Sequence, residues 1–113
     1  IIIMADCATF DEAVAAHGAG ADLVGTTMNG YTPQTIWETD APNFELVTRL
    51  AKALPCPVIA EGRIHTPEQA RKMLEQGAWA VVVGGAITRP LEIASRFMAA
   101  VRDLSGGKTC SWL

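Results

Sequence analysis

Pro57-Val58-Ile59-Ala60-Glu61-Gly62-Arg63-Ile64 decides how this chain is read. A short apolar run, rich in β-branched residues, stops at a carboxylate and a glycine. Thr66-Pro67-Glu68-Gln69 follows, with an N-cap, a first-turn proline and the glutamine of a capping box in order. Val81-Val82-Val83-Gly84-Gly85-Ala86-Ile87-Thr88-Arg89-Pro90 repeats the plan further on. Near-continuous apolar runs, each followed by a helix start, are the pattern of parallel strands covered on both faces.

Working outward, the same alternation extends over most of the chain. Residues 1–5 read as a strand ending at Asp6, and Thr9 with Glu12 three residues on predicts a capped helix over 10–17. Gly18-Ala19-Gly20 stops that helix, and 21–26 form the next strand. A long polar loop spans 27–43. Leu46, Val47, Leu50 and Leu54 stand at helical spacing over 44–54, and Pro55 ends the helix. The third strand covers 57–60, a helix runs from Pro67 to about Gln76 with Gly77 as its C-cap, and the fourth strand covers 79–83. A last helix over 90–104 precedes a polar, Gly-rich tail at 105–113.

Four β/α units suit either a small doubly wound sheet or one half of an eight-stranded (β/α)₈ TIM barrel, since half of a barrel of ~250 residues has about this length. The opening Ile1-Ile2-Ile3-Met4 resembles the middle of a buried strand, which favours the barrel. The expectation is that residues 1–104 are the C-terminal half of such a domain within a longer protein, with 105–113 as tail.

Composition narrows the class. With 113 residues the chain has room for one ordinary domain. A net charge of −3 argues against nucleic acid as a partner. The absence of any apolar run near the ~20 residues of a bilayer span argues against a membrane protein. Cys7, Cys56 and Cys110 are odd in number and lack CxxC spacing, so they read as free thiols of a cytoplasmic protein.

In a barrel, the residues that end each strand converge on the carboxyl-terminal face, where active sites are built. Those residues here are Asp6, then Thr26 and Thr27, then Glu61 with Arg63, then Gly84 and Gly85. Alternation puts Glu61 and Arg63 on one side of their strand. Glu61 suits acid/base work at a sugar carbon or ring oxygen, and a salt bridge to Arg63 is the plainer alternative. Gly84 and Gly85 let backbone N–H groups approach an anion, and Arg89 just after them is placed to bind the same phosphate. A tight βα turn with a solvated arginine reads equally well. Asp6 suits a sugar hydroxyl or a cap on its own loop. Tyr31 and Trp37 stand in the long loop, in position either to cover a substrate or to anchor an exposed hairpin. His17 is favourable at a helix end on dipole grounds, and His65 is a loop residue.

Four motifs in order carry a resemblance: Ala5-Asp6-Cys7-Ala8-Thr9-Phe10; Asp22-Leu23-Val24-Gly25-Thr26-Thr27 with Gly30-Tyr31-Thr32-Pro33; Ile59-Ala60-Glu61-Gly62-Arg63-Ile64-His65-Thr66-Pro67; and Val83-Gly84-Gly85-Ala86-Ile87-Thr88-Arg89-Pro90. Together they resemble the N-acetylmannosamine-6-phosphate 2-epimerase family through nearly the whole chain. The resemblance implies a (β/α)₈ barrel, of which this chain supplies the fifth to eighth units. It implies inversion at C2 of N-acetylmannosamine 6-phosphate to give N-acetylglucosamine 6-phosphate, a step in sialic acid use, with no metal or organic cofactor. Glu61 would then be the catalytic carboxylate and Asp6 would position the sugar. Arg63 would orient Glu61 and, with Thr26 and Thr27, line the substrate site, and Gly84, Gly85 and Arg89 would hold the 6-phosphate. The family's catalytic lysine lies on an early strand outside this chain, and Lys52, Lys72 and Lys108 match nothing catalytic. The implied partners are the small-molecule sugar phosphate, the missing N-terminal half of the barrel, and a possible second copy in a homo-oligomer. Competing readings are another phosphate-binding barrel isomerase and an inactive half-barrel that only binds or associates.

Overall fold

The computed structural model describes residues 1–36 and 40–104, with side chains described to residue 102. The elements are β1 (Met4–Asp6), α1 (Phe10–Gly18), β2 (Leu23–Gly25), α2 (Phe44–Ala53), β3 (Val58–Glu61), α3 (Pro67–Glu75), β4 (Ala80–Val82), α4 (Gly85–Thr88) and α5 (Pro90–Leu104). The strands form one parallel sheet in the order β1-β2-β3-β4. Sequential parallel neighbours joined by helices are the repeating unit of a (β/α)₈ barrel, and four of them are half of one. The chain divides into two compact units, residues 1–83 and 84–113.

In the first unit, each helix starts where the sequence supplies a cap. The Thr9 hydroxyl accepts from the Glu12 N–H at 3.2 Å, while the Glu12 carboxylate takes the N–H of Ala8 at 2.7 Å. Thr66 and Gln69 close a full capping box on α3, with Pro67 in the first turn. Asn43 caps α2 by accepting from the Leu46 N–H at 2.9 Å. α3 ends at Glu75 with Gln76, not the expected Gly77, as its C-cap, and Gly77 takes the left-handed conformation just beyond, at φ +107°.

The core lies between one face of the sheet and the helices. Val24, Val58 and Ala60 from the strands meet Ala13 of α1, Leu46, Val47 and Leu50 of α2, and Met73 of α3. Alternation sends Met4, Asp6, Leu23, Gly25, Ile59, Glu61, Ala80 and Val82 to the opposite face, the side that faces the axis in a closed barrel. At the edges of that face, Met4 and Val82 are about 40 % exposed.

Three of the four strands, all but β3, are shorter than the apolar runs that announce them. β1 begins at Met4 because β2 begins at Leu23, so Ile1 and Ile2 have no strand beside them and stand exposed. Likewise β2 covers three residues of the expected six, and β4 three of the expected five. In the second unit, Gly84 caps the four-residue α4, and α5 covers the expected span. No described helix is long and apolar enough to cross a membrane.

Candidate active site

The carboxyl ends of β1, β2 and β3 bring the first three sequence candidates together. Register pairs Asp6 with Gly25 and Gly25 with Ile59, so Asp6 and Glu61 flank the glycine end of β2. Gly25 leaves this space open. A Cβ there would lie 2.5 Å from Met4 Cε and 3.4 Å from both Asp6 Oδ1 and Thr27 Oγ1. Thr27 fills the gap with a hydroxyl, whose Oγ1 lies 2.7 Å from Glu61 Oε2 and 3.0 Å from Asp6 Oδ1.

Its neighbour Thr26 has a different task. Thr26 is 4 % exposed, and its hydroxyl donates to the Glu61 carbonyl at 3.0 Å while accepting from the Glu61 N–H at 3.1 Å. The substrate contact expected of Thr26 finds no support in this geometry, because the hydroxyl is committed to backbone. What it does is lock the end of β2 to the residue that carries the carboxylate.

Arg63 departs from expectation for a backbone reason. β3 ends at Glu61, and Gly62 and Arg63 both take positive φ, +106° and +59°. Two positive-φ residues in succession end the strand's alternation at Glu61, so pleating no longer sets the side that Arg63 takes. Among the described residues the ion pairs are Arg71–Glu75 and Arg89–Glu92, and the expected Glu61–Arg63 contact is not one of them. Instead the Arg63 guanidinium donates to the Gly30 carbonyl at 2.9 Å and lies over the Tyr31 ring, 4.8 Å from its centre. Arg63 therefore clamps the loop after β2 to the end of β3.

The described part of that loop is held by residues the sequence reading gave no role, Asn29, Thr35 and Asn43. Asn29 donates to the Ala8 carbonyl at 2.8 Å and accepts from Asn43, tying the loops after β1 and β2 to the start of α2. Buried Thr35 accepts from the Gly30 N–H at 2.8 Å and shares a contact of the same length with the Thr32 hydroxyl. A polar loop dense in Asn, Thr and Gly was the available signal, since such side chains satisfy loop backbone. Of the loop aromatics, Tyr31 is the stacking partner of Arg63, and Trp37 lies outside the described residues.

Gly30 explains how close this clamp is. It sits at φ +85°, and a Cβ there would fall 1.7 Å from Arg63 Nη1. The Gly30→Ala variant is expected to expel the guanidinium, losing its hydrogen bond and its ring contact while straining the turn. We expect a loss of about 1–3 kcal/mol, read from the urea midpoint.

Cys7 adjoins the site from the core side. Its thiol is buried, and burial first, then the carboxylates of Glu12 and Asp6, push its pKa above the ordinary thiol value. A raised thiol pKa leaves less thiolate at neutral pH. Native-state alkylation followed by peptide mapping should label half-buried Cys56 and spare Cys7 until the chain is unfolded.

The second unit holds the phosphate candidates. The Gly84 carbonyl accepts from the N–H groups of Ile87 and Thr88 and from the Thr88 hydroxyl, so Gly84 turns the chain into α4. Arg89 pairs with Glu92 at 3.0 Å, both side chains well exposed. A surface pair of this kind is worth about 0–1 kcal/mol, so an incoming anion displaces it at little cost.

Lys52 lies in the last turn of α2 and Lys72 lies on α3 over the Phe44 ring, so neither stands at a strand end; Lys108 is outside the described residues. No group of three His, Cys, Asp or Glu able to hold a metal occurs among the described residues. A cavity of about 560 Å³ opens between the starts of α1 and α2, lined by Thr9, Phe10, Asn43 and Arg49 among others, and does not include Glu61.

Half of a (β/α)₈ barrel, with two carboxylates joined through a hydroxyl at the carboxyl ends of its strands, is the class that fold and site define. Likeness to known proteins narrows it. The family described as "Putative N-acetylmannosamine-6-phosphate epimerase" matches residues 1–103, and the chain belongs to that family. Relatives named as 2-epimerases of this kind from Caldanaerobacter subterraneus and Cutibacterium acnes are 50 % and 51 % identical, over 91 % and 90 % of this chain. The solved N-acetylmannosamine-6-phosphate 2-epimerase of Clostridium perfringens superposes with a TM-score of 0.84 at 46 % identity, over 88 % of this chain. The chain spans less than half of each: 43 %, 45 % and 43 % of their lengths.

Proposed function

We propose that this chain supplies the second half of an epimerase barrel that inverts C2 of N-acetylmannosamine 6-phosphate, yielding N-acetylglucosamine 6-phosphate in amino sugar breakdown. The observation that carries the reading is the Asp6–Thr27–Glu61 constellation at the strand ends of a chain that belongs to this family. In the opened sugar, C2 lies beside the C1 aldehyde, so its proton is acidic enough to leave and to return on the other face through an enol-type intermediate. Glu61 moves a proton at this centre through Oε2. Asp6 orients the sugar hydroxyls. Arg63 serves indirectly, holding the loop after β2 against the end of β3. Gly84, Gly85 and Arg89 take the 6-phosphate, the two glycines by close backbone approach and Arg89 by a charge-assisted contact. We assign the reaction to the cytoplasm, in keeping with the free thiols of Cys7 and Cys56.

A barrel closes only with eight strands, so the chain alone is expected to be inactive. Its principal base, a lysine in the family, belongs to the other half. The test is exchange of the C2 proton of N-acetylmannosamine 6-phosphate in D₂O, followed by NMR. It is run with the chain alone and with the chain mixed with the remaining part of the Caldanaerobacter relative. Exchange and epimer formation only in the mixture support the reading. Exchange by the chain alone would mean that a sufficient base lies within these residues. Silence in both, with each part folded, would remove the substrate assignment.

A further inference from the structure

We propose that Thr27 is a positioning residue for this reaction, its one hydroxyl fixing the Glu61 carboxylate and passing a proton between Glu61 and Asp6. The proposal rests on the epimerase reading above. A hydroxyl has one proton and two lone pairs, yet Thr27 Oγ1 meets carboxylate oxygens on both sides, at 2.7 Å and 3.0 Å. It donates to one of them at a time. When a proton sits on either carboxyl group, that group donates to Oγ1, Thr27 donates to the other, and both contacts become hydrogen bonds together.

The chain Glu61–Thr27–Asp6 is then continuous, and a proton crosses it without any side chain moving. The Glu61 Oε2–H bond breaks as a new bond forms on Thr27 Oγ1, and the original Thr27 O–H bond breaks as one forms on Asp6 Oδ1. Two protons each shift by one bond, the net transfer is one proton from Glu61 to Asp6, and nothing is oxidised or reduced. Epimerisation takes a proton from one face of C2 and returns one to the other, so a group that has changed protonation state in one turnover must be reset before the next. The bridge gives Glu61 a partner for that reset. Two features keep Thr27 in place: Thr26 fastens the strand ends on one side, and Gly25 leaves room on the other.

The variants are Thr27→Val, which keeps the shape and removes the hydroxyl, and Thr27→Ser, which keeps the hydroxyl. In the barrel completed by the relative's remaining part, Val is expected to lower kcat about 10- to 100-fold with KM nearly unchanged, and Ser to restore most of it. A raised KM with kcat intact would make Thr27 a substrate contact and overturn the proposal, as would equal loss in both variants. A second readout needs no turnover. In the 113-residue chain labelled with ¹³C at its carboxyl groups, Val should shift the Asp6 and Glu61 signals together at constant pH, and Ser should leave them near their original positions. If neither signal moves, the bridge is refuted. If the completed wild-type barrel shows no epimerisation, the functional reading fails and the kinetic role of Thr27 with it, whereas moving carboxyl signals would still attest the bridge.

Discussion

Glu61→Gln in the completed barrel loses about 10²- to 10⁴-fold in kcat while the fold stays intact. Glutamine preserves the length and volume of the side chain, and its amide oxygen still accepts from the Thr27 hydroxyl. The backbone contacts of residue 61 with Thr26 do not involve the side chain and persist. What disappears is the ability to take and give a proton, so the loss should fall on kcat with little change in KM. Proton NMR reports both net epimerisation and C2–H exchange, and far-UV circular dichroism verifies the fold. A variant retaining turnover within tenfold would move the acid/base role to another group, with Asp6 next to be replaced.

The layout of the molecule was legible because it rests on local rules. Apolar runs broken by glycine, the caps at Thr9 and Thr66, and Pro55 all act within a few residues, and each lies where an element starts or ends. Strand limits were less legible, since a strand lasts only as long as its neighbour. Ile1 and Ile2 have every strand propensity and no partner. The site divides in the same way. Asp6 and Glu61 could be read as a pair because strand ends converge in this fold. Choosing between Thr26 and Thr27 required knowing which way each faces, and that depends on where pleating stops. The backbone of Arg63 was not legible locally: Gly62 announces a turn, but nothing nearby announces a left-handed arginine. Its conformation is held by Gly30 and Tyr31, which are distant in sequence. The short helix α4 was likewise hidden, because Gly84 and Gly85 predict a turn as readily as a helix start.

Leu50→Ala should be the most destabilising of the simple truncations, at about 2–5 kcal/mol. Leu50 is 1 % exposed and heads the largest fully buried side chains, inside the cluster where α2 meets Val58 and Ala60 of β3 and Met73 of α3. Removing its branched end leaves a cavity that strands and helices locked in register cannot collapse into. A domain of this size has total stability of about 5–15 kcal/mol, so the change takes a large share of it. The comparison is Val82→Ala on the opposite face, where the side chain is 40 % exposed and its loss should cost under about 1 kcal/mol. Urea denaturation followed by circular dichroism measures both. Leu50→Ala with a midpoint near that of Val82→Ala would mean that the helix-side cluster is not what holds the sheet. The expected disparity says that the helix-side core forms within this chain, whereas the axial face contributes little until other strands cover it. It also separates the two largest effects. Leu50→Ala acts through the population of folded chain, and Glu61→Gln acts through the chemistry of a chain that remains folded.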